Sequence, residues 1–515
     1  MTPTEKAISQ LPDHLRPYVV RQDYSQYTPR DHAVWRHILT RLQKTLKKSA
    51  HPDYLDGLLR TGISVNRIPS LDEMNLCLKE IGWTAVAVRG FIPPSVFTEL
   101  QSRRVLAIAE DIRDHRHIGY TPAPDIVHES AGHSPILINH KYATYVQRCG
   151  LLGFKAISSK EDFLVFEAIR HLSIVKENPN STQDQILEAE ERLVFSRNSH
   201  RYVSENTKAS RLYWWTAEYG MVGELDHPKL YGAGLLSSIE EAEHALTDSV
   251  KKYPLTLACI EKAYDITTMQ PQLFVAKDFE HLFDILEQFE ATLSYTRGGI
   301  HGLSEAKKAE SIVHLKLDND RFLSGQVAEY YPISSGAVAC MSGPSLLEIN
   351  EKEYQFNKEP ILFFWDQSSS NERFVNLTFD QYYLHGSLEN GYLRNIRTNH
   401  PRLKEIFKQG SSQVICSSTL TSIAGGPANP TLWEELVPTN NSFTYEEGEL
   451  IVRRAKIKDL DPALGRIYEE LNRMILDGQI NPIQLGTLAK VASQFPSEWL
   501  LHSQLDFYMS NQEIP

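Results

Sequence analysis

His128 and His133 bracket the short stretch Glu129 to Gly132 inside the run TPAPDIVHESAGHSP, residues 121–135. The pattern H-E-x-x-x-H is one residue longer than the H-E-x-x-H of zinc hydrolases, and the extra residue matters. On a regular α-helix, imidazoles at i and i+4 stand ~40° apart around the axis, whereas i and i+5 stand ~140° apart. Both can face one metal only if the first sits at a helix start or if the turn around Gly132 is irregular. The prolines at 122, 124 and 135 supply irregular ends on both sides. Two imidazoles completed by a carboxylate would form a face with open positions for non-haem Fe(II), a centre that activates dioxygen. A zinc-dependent hydrolase using Glu129 as general base is the competing chemistry. Two unrelated loop histidines, among 19 in the chain, is the plain alternative. His115, His117 and His140 read as ordinary surface or core residues.

Such a site has to be held by helices. The run from Asp31 to Lys48 carries Val34, Ile38, Leu39, Leu42 and Leu46 at helical spacing. Ser70 to Ile81 repeats the pattern, with Gly82 as its stop. Pro93 and Pro94 break the chain before a helix expected to be capped by Ser95. Helices dominate from Tyr142 to Tyr219, including a charged one over Gln185 to Arg197. YGAGLLSS, 231–238, is a bend leading into a helix over Ile239 to Leu246, and Phe279, Leu282, Phe283, Leu286 and Phe289 mark another. From about Ile312 to Ala424 the runs HLKL, AVAC, LLEI, ILFFW and FVNLTF, separated by SSGA, MSGP and DQSSSN, argue for a small antiparallel β domain. A loop from Gly425 to Pro430 leads to helices near Asp459 to Leu476 and Ile483 to Phe495.

Composition sets the outer limits. The chain has 515 residues, 41% apolar and 23% charged, with 53 basic against 65 acidic side chains for a net charge of −12. That exceeds the ~250–300 residues at which one core stops growing, so more than one core is expected and a disordered scaffold is excluded. Without a Lys/Arg block, nucleic acid and membrane surfaces are poor partners. The five cysteines are odd in number and never spaced C-x-x-C, so they read as core thiols in a reducing compartment. Residues 1–11 lack the apolar stretch of a secretory signal, and no run approaches the ~18 apolar residues of a membrane span. A cytoplasmic location is expected.

The block TPAPDIVHESAGHSP, followed in order by YWWTAEYGM and YGAGLLSS, resembles the pterin-dependent aromatic amino acid hydroxylases, the family of phenylalanine, tyrosine and tryptophan hydroxylases. The similarity spans roughly residues 20–295. It implies a mostly α catalytic domain over 1–305; the residue patterns add a small antiparallel β domain over 312–424 and C-terminal helices over 431–515. It also implies that His128, His133 and Glu218 bind the iron. Glu218 sits in an aromatic, otherwise uncharged run, where burying an unpaired carboxylate is costly and a metal would offset the cost. Ser237 matches a serine that orients the first iron-binding histidine. Arg113 lies where the family holds the substrate α-carboxylate, work suited to a guanidinium fork, and Asp125 matches its partner. Thr121, Pro124, Trp214, Tyr219 and Gly234 match the amino acid pocket. Phe97 matches the ring stacked on the pterin, Phe91 and Ile92 the backbone edge facing it, and Glu129 a carboxylate near it.

The reaction so implied is ring hydroxylation of a free aromatic amino acid by O₂, with Fe(II) and a tetrahydropterin of the tetrahydrobiopterin type as cofactors. Phenylalanine is the expected substrate, with tyrosine and tryptophan as alternatives. Ser130, Ala131 and Ser134 stand where familiar members carry bulkier apolar residues. No ligand changes, so this departure bears on pocket shape and substrate choice. The C-terminal half resembles no family; it leaves open a homo-oligomer or a contact with another protein.

Overall fold

The computed structural model describes residues 1–90, 92–115, 118–119, 125–177, 181–199, 201–266, 268–350, 352–356, 361–366, 374–379, 381–389, 392–408, 413–425 and 461–510. Helices dominate up to Ala309 and strands from Ile312 to Gly425. No helix among the described residues is long and apolar enough to cross a membrane.

The helix Pro29–Ser49 forms where its periodicity places it, opened by a reciprocal capping box between Thr28 and Asp31. Its apolar stripe, Trp35, Leu39 and Leu42 included, lies at the centre of the largest core. Leu71–Leu78 runs into a 3₁₀ turn that ends at Gly82, whose φ of 73° is the left-handed value for which glycine has no steric cost. The helix after the double proline begins two residues earlier than expected, at Pro94, and Ser95 makes no cap. Proline fits that first position because no N–H is needed there. Gln183–Asn198, Ile239–His244 and Phe279–Glu290 take their caps from Thr182, Ser238 and Asp278.

Two small sheets lie in the helical part. Thr84–Val88 and Val105–Ala109 pair in parallel, and Lys229–Leu230, Met221–Val222, Gln272–Ala276 and Lys251–Pro254 form the second, in that order. The β-rich part is larger than the short runs suggest, a ten-stranded sheet. AVAC and LLEI lie on one strand, Gly336–Ile349, because MSGP between them continues the strand instead of turning. Against the partner strand Phe322–Ile333 the register shifts between Ser324 and Gln326, where Gly336–Ile349 carries the extra residues, and again between Val327 and Glu329, where the partner does. Within this sheet the described pairings are antiparallel except Ile361–Asp366 with Gln413–Ser417. A parallel pair needs a long crossover, and here the strands Phe374–Phe379, Tyr382–Glu389 and Tyr392–Thr398 and the helix Pro401–Lys408 lie between its two members.

Packing redraws the expected boundaries. Residue 305 falls inside the helix Gly299–Ala309, whose Leu303, Ala306 and Ala309 join the core of the sheet. The helices Pro462–Leu476, Pro482–Ala492 and Trp499–Ser510, the last unanticipated, share the core of Pro29–Ser49 through Tyr468, Leu471, Leu501 and Leu505. Arg30 pairs with Glu498. Arg36 is buried and donates to Gln504 Oε1 from Nε at 3.2 Å and from Nη2 at 3.0 Å. Burial pulls the Arg36 pKa down to about 10. Gln504→Ala should therefore cost about 3 kcal/mol in chemical denaturation, because it strands a buried charged donor, while a double change of Arg36 and Gln504 to apolar residues should cost less.

The expectation of core thiols holds for Cys149, Cys259 and Cys340, which are buried; Cys77 is half-buried and Cys416 exposed. Each of the last two lies near an element end facing solvent.

Candidate metal centre

The donor residues sit on two π-helical turns. Val127–His133 carries both histidines and Trp214–Glu218 ends on the carboxylate. A π turn closes i→i+5 hydrogen bonds, as Tyr219 N does to Trp214 O at 2.8 Å. Widening the turn by one residue brings i and i+5 back toward one face, which is how H-E-x-x-x-H converges. Hydroxyls assist at both turns: Ser130 Oγ donates to Ile126 O, Ser134 Oγ to Ser130 O at 2.5 Å, and Thr216 Oγ1 to Leu212 O at 2.6 Å. Back-bonds of this kind bend helices. Ser130 and Ser134, the departures from bulkier residues, are thus spent on the backbone. Gly132 is required because a Cβ there would come within 2.7 Å of Ala233 O, on the helix Ala233–Ser237.

The ligand atoms of His128, His133 and Glu218 all lie within 4.8 Å of one another. His128 Nε2 is 3.2 Å from Glu218 Oε2, and His133 Nε2 is 3.1 Å from Glu218 Oε1. The imidazoles stand nearly perpendicular, centroids 5.0 Å apart. His133 Nε2 is buried and makes no well-formed hydrogen bond among the described residues, which is the condition of a nitrogen reserved for a metal. Burial pushes the Glu218 carboxyl pKa up, but His133 and His128, when protonated in the absence of a metal, outweigh it by charge and hydrogen bonding and hold the group well below the usual carboxylate range. Two nitrogens and one carboxylate oxygen, with no thiolate, fit a non-haem iron face.

Ser237 decides the tautomer of His128. Its Oγ lies 3.0 Å from His128 Nδ1 and 2.7 Å from Ala233 O. The hydroxyl has one proton, given to the carbonyl, so it accepts from Nδ1–H and leaves the Nε2 lone pair facing Glu218. Ser237→Ala should weaken Fe(II) binding about 10–100-fold in a competition titration while leaving the fold intact.

Arg113 and Asp125 form a buried fork beside this centre. Nε and Nη2 of Arg113 donate to Asp125 Oδ2 and Oδ1 at 2.7 and 2.8 Å, and Nη1 reaches Ser237 O at 3.3 Å. Asp125 Oδ1 also accepts from His128 N at 3.0 Å. Burial raises the Asp125 pKa, but the Arg113 charge and these hydrogen bonds more than offset it, so the carboxyl titrates below its usual value.

An aromatic wall runs alongside. Trp214 packs on Tyr219 with centroids 4.6 Å apart and lies flat on Tyr264 at 4.2 Å. Gly234 gives Tyr219 its room, since a Cβ there would meet the ring at 2.7 Å. Phe97 and Ile92 are half-buried in a neighbouring cluster. Phe97 meets Tyr213 edge-on, and Tyr213 in turn faces His133 at 6.3 Å. Glu129 is buried, its Oε2 3.9 Å from His133 Nε2. Burial first, then Glu218 and Asp125, push its pKa up to about 8 against the opposing pull of His133; a cation at the centre would act in the opposite direction. Thr121, Pro124 and Phe91 lie outside the described residues.

Sequence reasoning passed over Tyr213, Tyr264 and Gln270. Tyr213 opens the YWWTAEYGM motif and could have been found there. Gln270, buried and accepting from Trp214 Nε1 at 3.3 Å, carries no local signal.

Residues 19–168 and 201–297 match the family model described as biopterin-dependent aromatic amino acid hydroxylase. The chain is 30% identical over 277 residues to phenylalanine-4-hydroxylase of Pseudomonas aeruginosa, covering 53% of this chain and 88% of the relative. It is also 30% identical over 275 residues to the Ralstonia nicotianae enzyme of that name, 52% and 74% covered. A Chromobacterium violaceum phenylalanine hydroxylase solved with iron(III) and 7,8-dihydrobiopterin matches at 26% identity and a TM-score of 0.43, over 56% of this chain and 93% of that one.

Proposed function

Because the chain belongs to the biopterin-dependent aromatic amino acid hydroxylases, we propose that it hydroxylates the ring of free phenylalanine to give tyrosine, using O₂, Fe(II) and a tetrahydropterin. The observation that carries this reading is the convergence of His128, His133 and Glu218, with the His128 tautomer fixed by Ser237. When bound, iron and the tetrahydropterin supply dioxygen activation and the electrons it requires.

The chain's own residues supply position. His128, His133 and Glu218 hold the metal. Arg113, steadied by Asp125 along its Nε–Nη2 edge, receives the substrate carboxylate on the remaining protons of Nη1 and Nη2. Trp214, backed by Tyr264 and Tyr219, offers a flat face to the substrate ring, with Gly234 beside Tyr219. Phe97, Ile92 and Glu129 form the pterin side. Because the Arg113 fork and His128 both bond to Asp125 and Ser237, substrate anchoring and ligand orientation share one set of hydrogen bonds.

All three donors come from one chain, so an oligomer or protein contact through the C-terminal half would add to a site already assembled. We assign the catalytic unit to the helical part up to about residue 298 together with the helices of 461–510, and an accessory unit to the sheet and Gly299–Ala309. A reducing cytoplasm suits five thiols of odd number.

The test is reconstitution of the full chain with Fe(II), tetrahydrobiopterin and O₂ against phenylalanine, tyrosine and tryptophan separately. Tyrosine from phenylalanine is expected. Product from one of the other two would reassign the substrate, and iron bound without ring-hydroxylated product from any would overturn the reading. A zinc hydrolase could use the same donors; the family match favours the hydroxylase, and metal analysis of the purified protein separates the two.

A further inference from the structure

Gln270 is buried at the end of the segment that carries Tyr264, and its side chain works at both ends of the amide. Nε2 donates to Asp265 O and Thr268 O, each at 2.9 Å, while Oε1 accepts from Trp214 Nε1 at 3.3 Å. Reversing the amide would set an oxygen against two carbonyls and an N–H against the indole N–H, so only one orientation satisfies the set. A single planar group thus ties the segment to itself and to Trp214. The backbone at Gln270 is held too. Pro271 restricts the residue before it to extended conformations, and the Gln270 N–H donates to the buried carboxylate of Glu241, on the helix Ile239–His244.

The ion pairs on the outer side of this segment hold it less firmly. Arg197, which lies between the two stretches that match the family model, approaches Asp265 at 3.9 Å, and Lys208 approaches Glu261 at 3.7 Å. All four side chains are at least 36% exposed, and solvent leaves such pairs little strength. The buried amide outweighs them. What it holds is the stack of Trp214 on Tyr264, 4.2 Å apart and 8° from parallel, on the same π turn that ends in Glu218. Misplacing a reacting group by about 1 Å can cost about 100-fold in rate, so the setting of this wall matters to the chemistry.

We propose that Gln270 is a positioning residue for the substrate ring, locking Trp214 and Tyr264 into one wall so that a single ring carbon faces the metal centre, a role that rests on the hydroxylase reading. Gln270 acts through Trp214 and the segment of Tyr264 rather than by touching substrate. With the ring misplaced, two electrons from the tetrahydropterin and two protons reduce O₂ to hydrogen peroxide, and no ring C–O bond forms.

The test is Gln270→Leu in the full chain, which keeps bulk and removes the acceptor and both donors. Tyrosine formed per tetrahydrobiopterin consumed should fall below about half the wild-type ratio, with hydrogen peroxide making up the difference. KM for phenylalanine should rise roughly tenfold, the effect of stranding buried hydrogen-bonding groups, while KM for tetrahydrobiopterin and Fe(II) retention stay within about twofold. Burial keeps a carboxyl protonated, so Gln270→Glu still accepts from the indole and donates to one carbonyl, and its ratio should lie between the other two. Near-ultraviolet circular dichroism of the full chain before turnover gives a second readout. The band of the stacked pair, identified as the difference between wild type and Tyr264→Leu, should weaken in Gln270→Leu and partly return in Gln270→Glu. An unchanged ratio and KM, equal rises in both KM values, an unchanged band, or a glutamate variant no better than leucine would overturn the proposal. Should Gln270→Leu fail to retain Fe(II), Gln270→Glu decides on the same measurements. Should wild type make no tyrosine, the hydroxylase reading fails, and the dichroism still decides whether Gln270 holds the wall.

Discussion

Glu218→Gln is expected to yield a folded protein that no longer retains Fe(II) through gel filtration and makes no detectable tyrosine. The substitution preserves shape and removes the charge that lies 3.1–3.2 Å from both imidazoles. Loss of a hydrogen bond to one ligand costs about 10–100-fold in metal affinity, and removal of a ligand charge should exceed that. Circular dichroism and a denaturation midpoint near wild type would show that the fold survives, since the π turn at Trp214–Glu218 is closed by backbone and Thr216 contacts rather than by the carboxylate. Iron retained at wild-type affinity would refute the assignment.

Arg113→Ala should have the second largest effect, divided between substrate and stability. Loss of the fork should raise KM for phenylalanine by roughly 30-fold or more, corresponding to about 2–5 kcal/mol for truncating one side of a buried charged pair. Arg113→Lys should recover only part of this, because an ammonium cannot make two parallel bonds. The same change leaves Asp125 buried and unpaired. In the wild type that carboxyl titrates below its usual value, so its contribution to stability is present above about pH 4 and lost only as pH falls through the lowered value. In Arg113→Ala the guanidinium charge is gone and burial is opposed only by the backbone N–H groups of residues 113 and 128, so the pKa should rise and acid unfolding should begin at a higher pH, measurable by fluorescence.

Much of the site was legible because its residues lie in three contiguous motifs. What the spacing alone left open was how H-E-x-x-x-H converges, and the π turn answers it. A sequence periodicity of 3.6 cannot announce a π turn; the signs present were Ser130 and Ser134, polar residues with back-bonding hydroxyls where bulk was expected. Helices with strong caps, such as Pro29–Ser49, were readable almost to their ends. The strand Gly336–Ile349 was not, since MSGP has turn composition and it is pairing with neighbouring strands that keeps it in the sheet. Nor could local patterns reveal that Gly299–Ala309 belongs with the sheet, or that Gln504 faces Arg36. Those are long-range choices of which apolar face covers which.

The pairing of Arg36 with Gln504 has a consequence for how the protein is made. Their separation in sequence is 468 residues, and at about 5–20 residues per second a ribosome takes roughly 25–95 seconds to pass from one to the other. During that interval the nascent helix around Trp35 and Leu39 lacks the cover that Leu501 and Leu505 later supply, while the intervening sheet has already emerged. The order of synthesis therefore makes completion of the helical core the last event in folding. An uncovered apolar stripe on the unfinished chain is the surface that a chaperone would be called upon to shield.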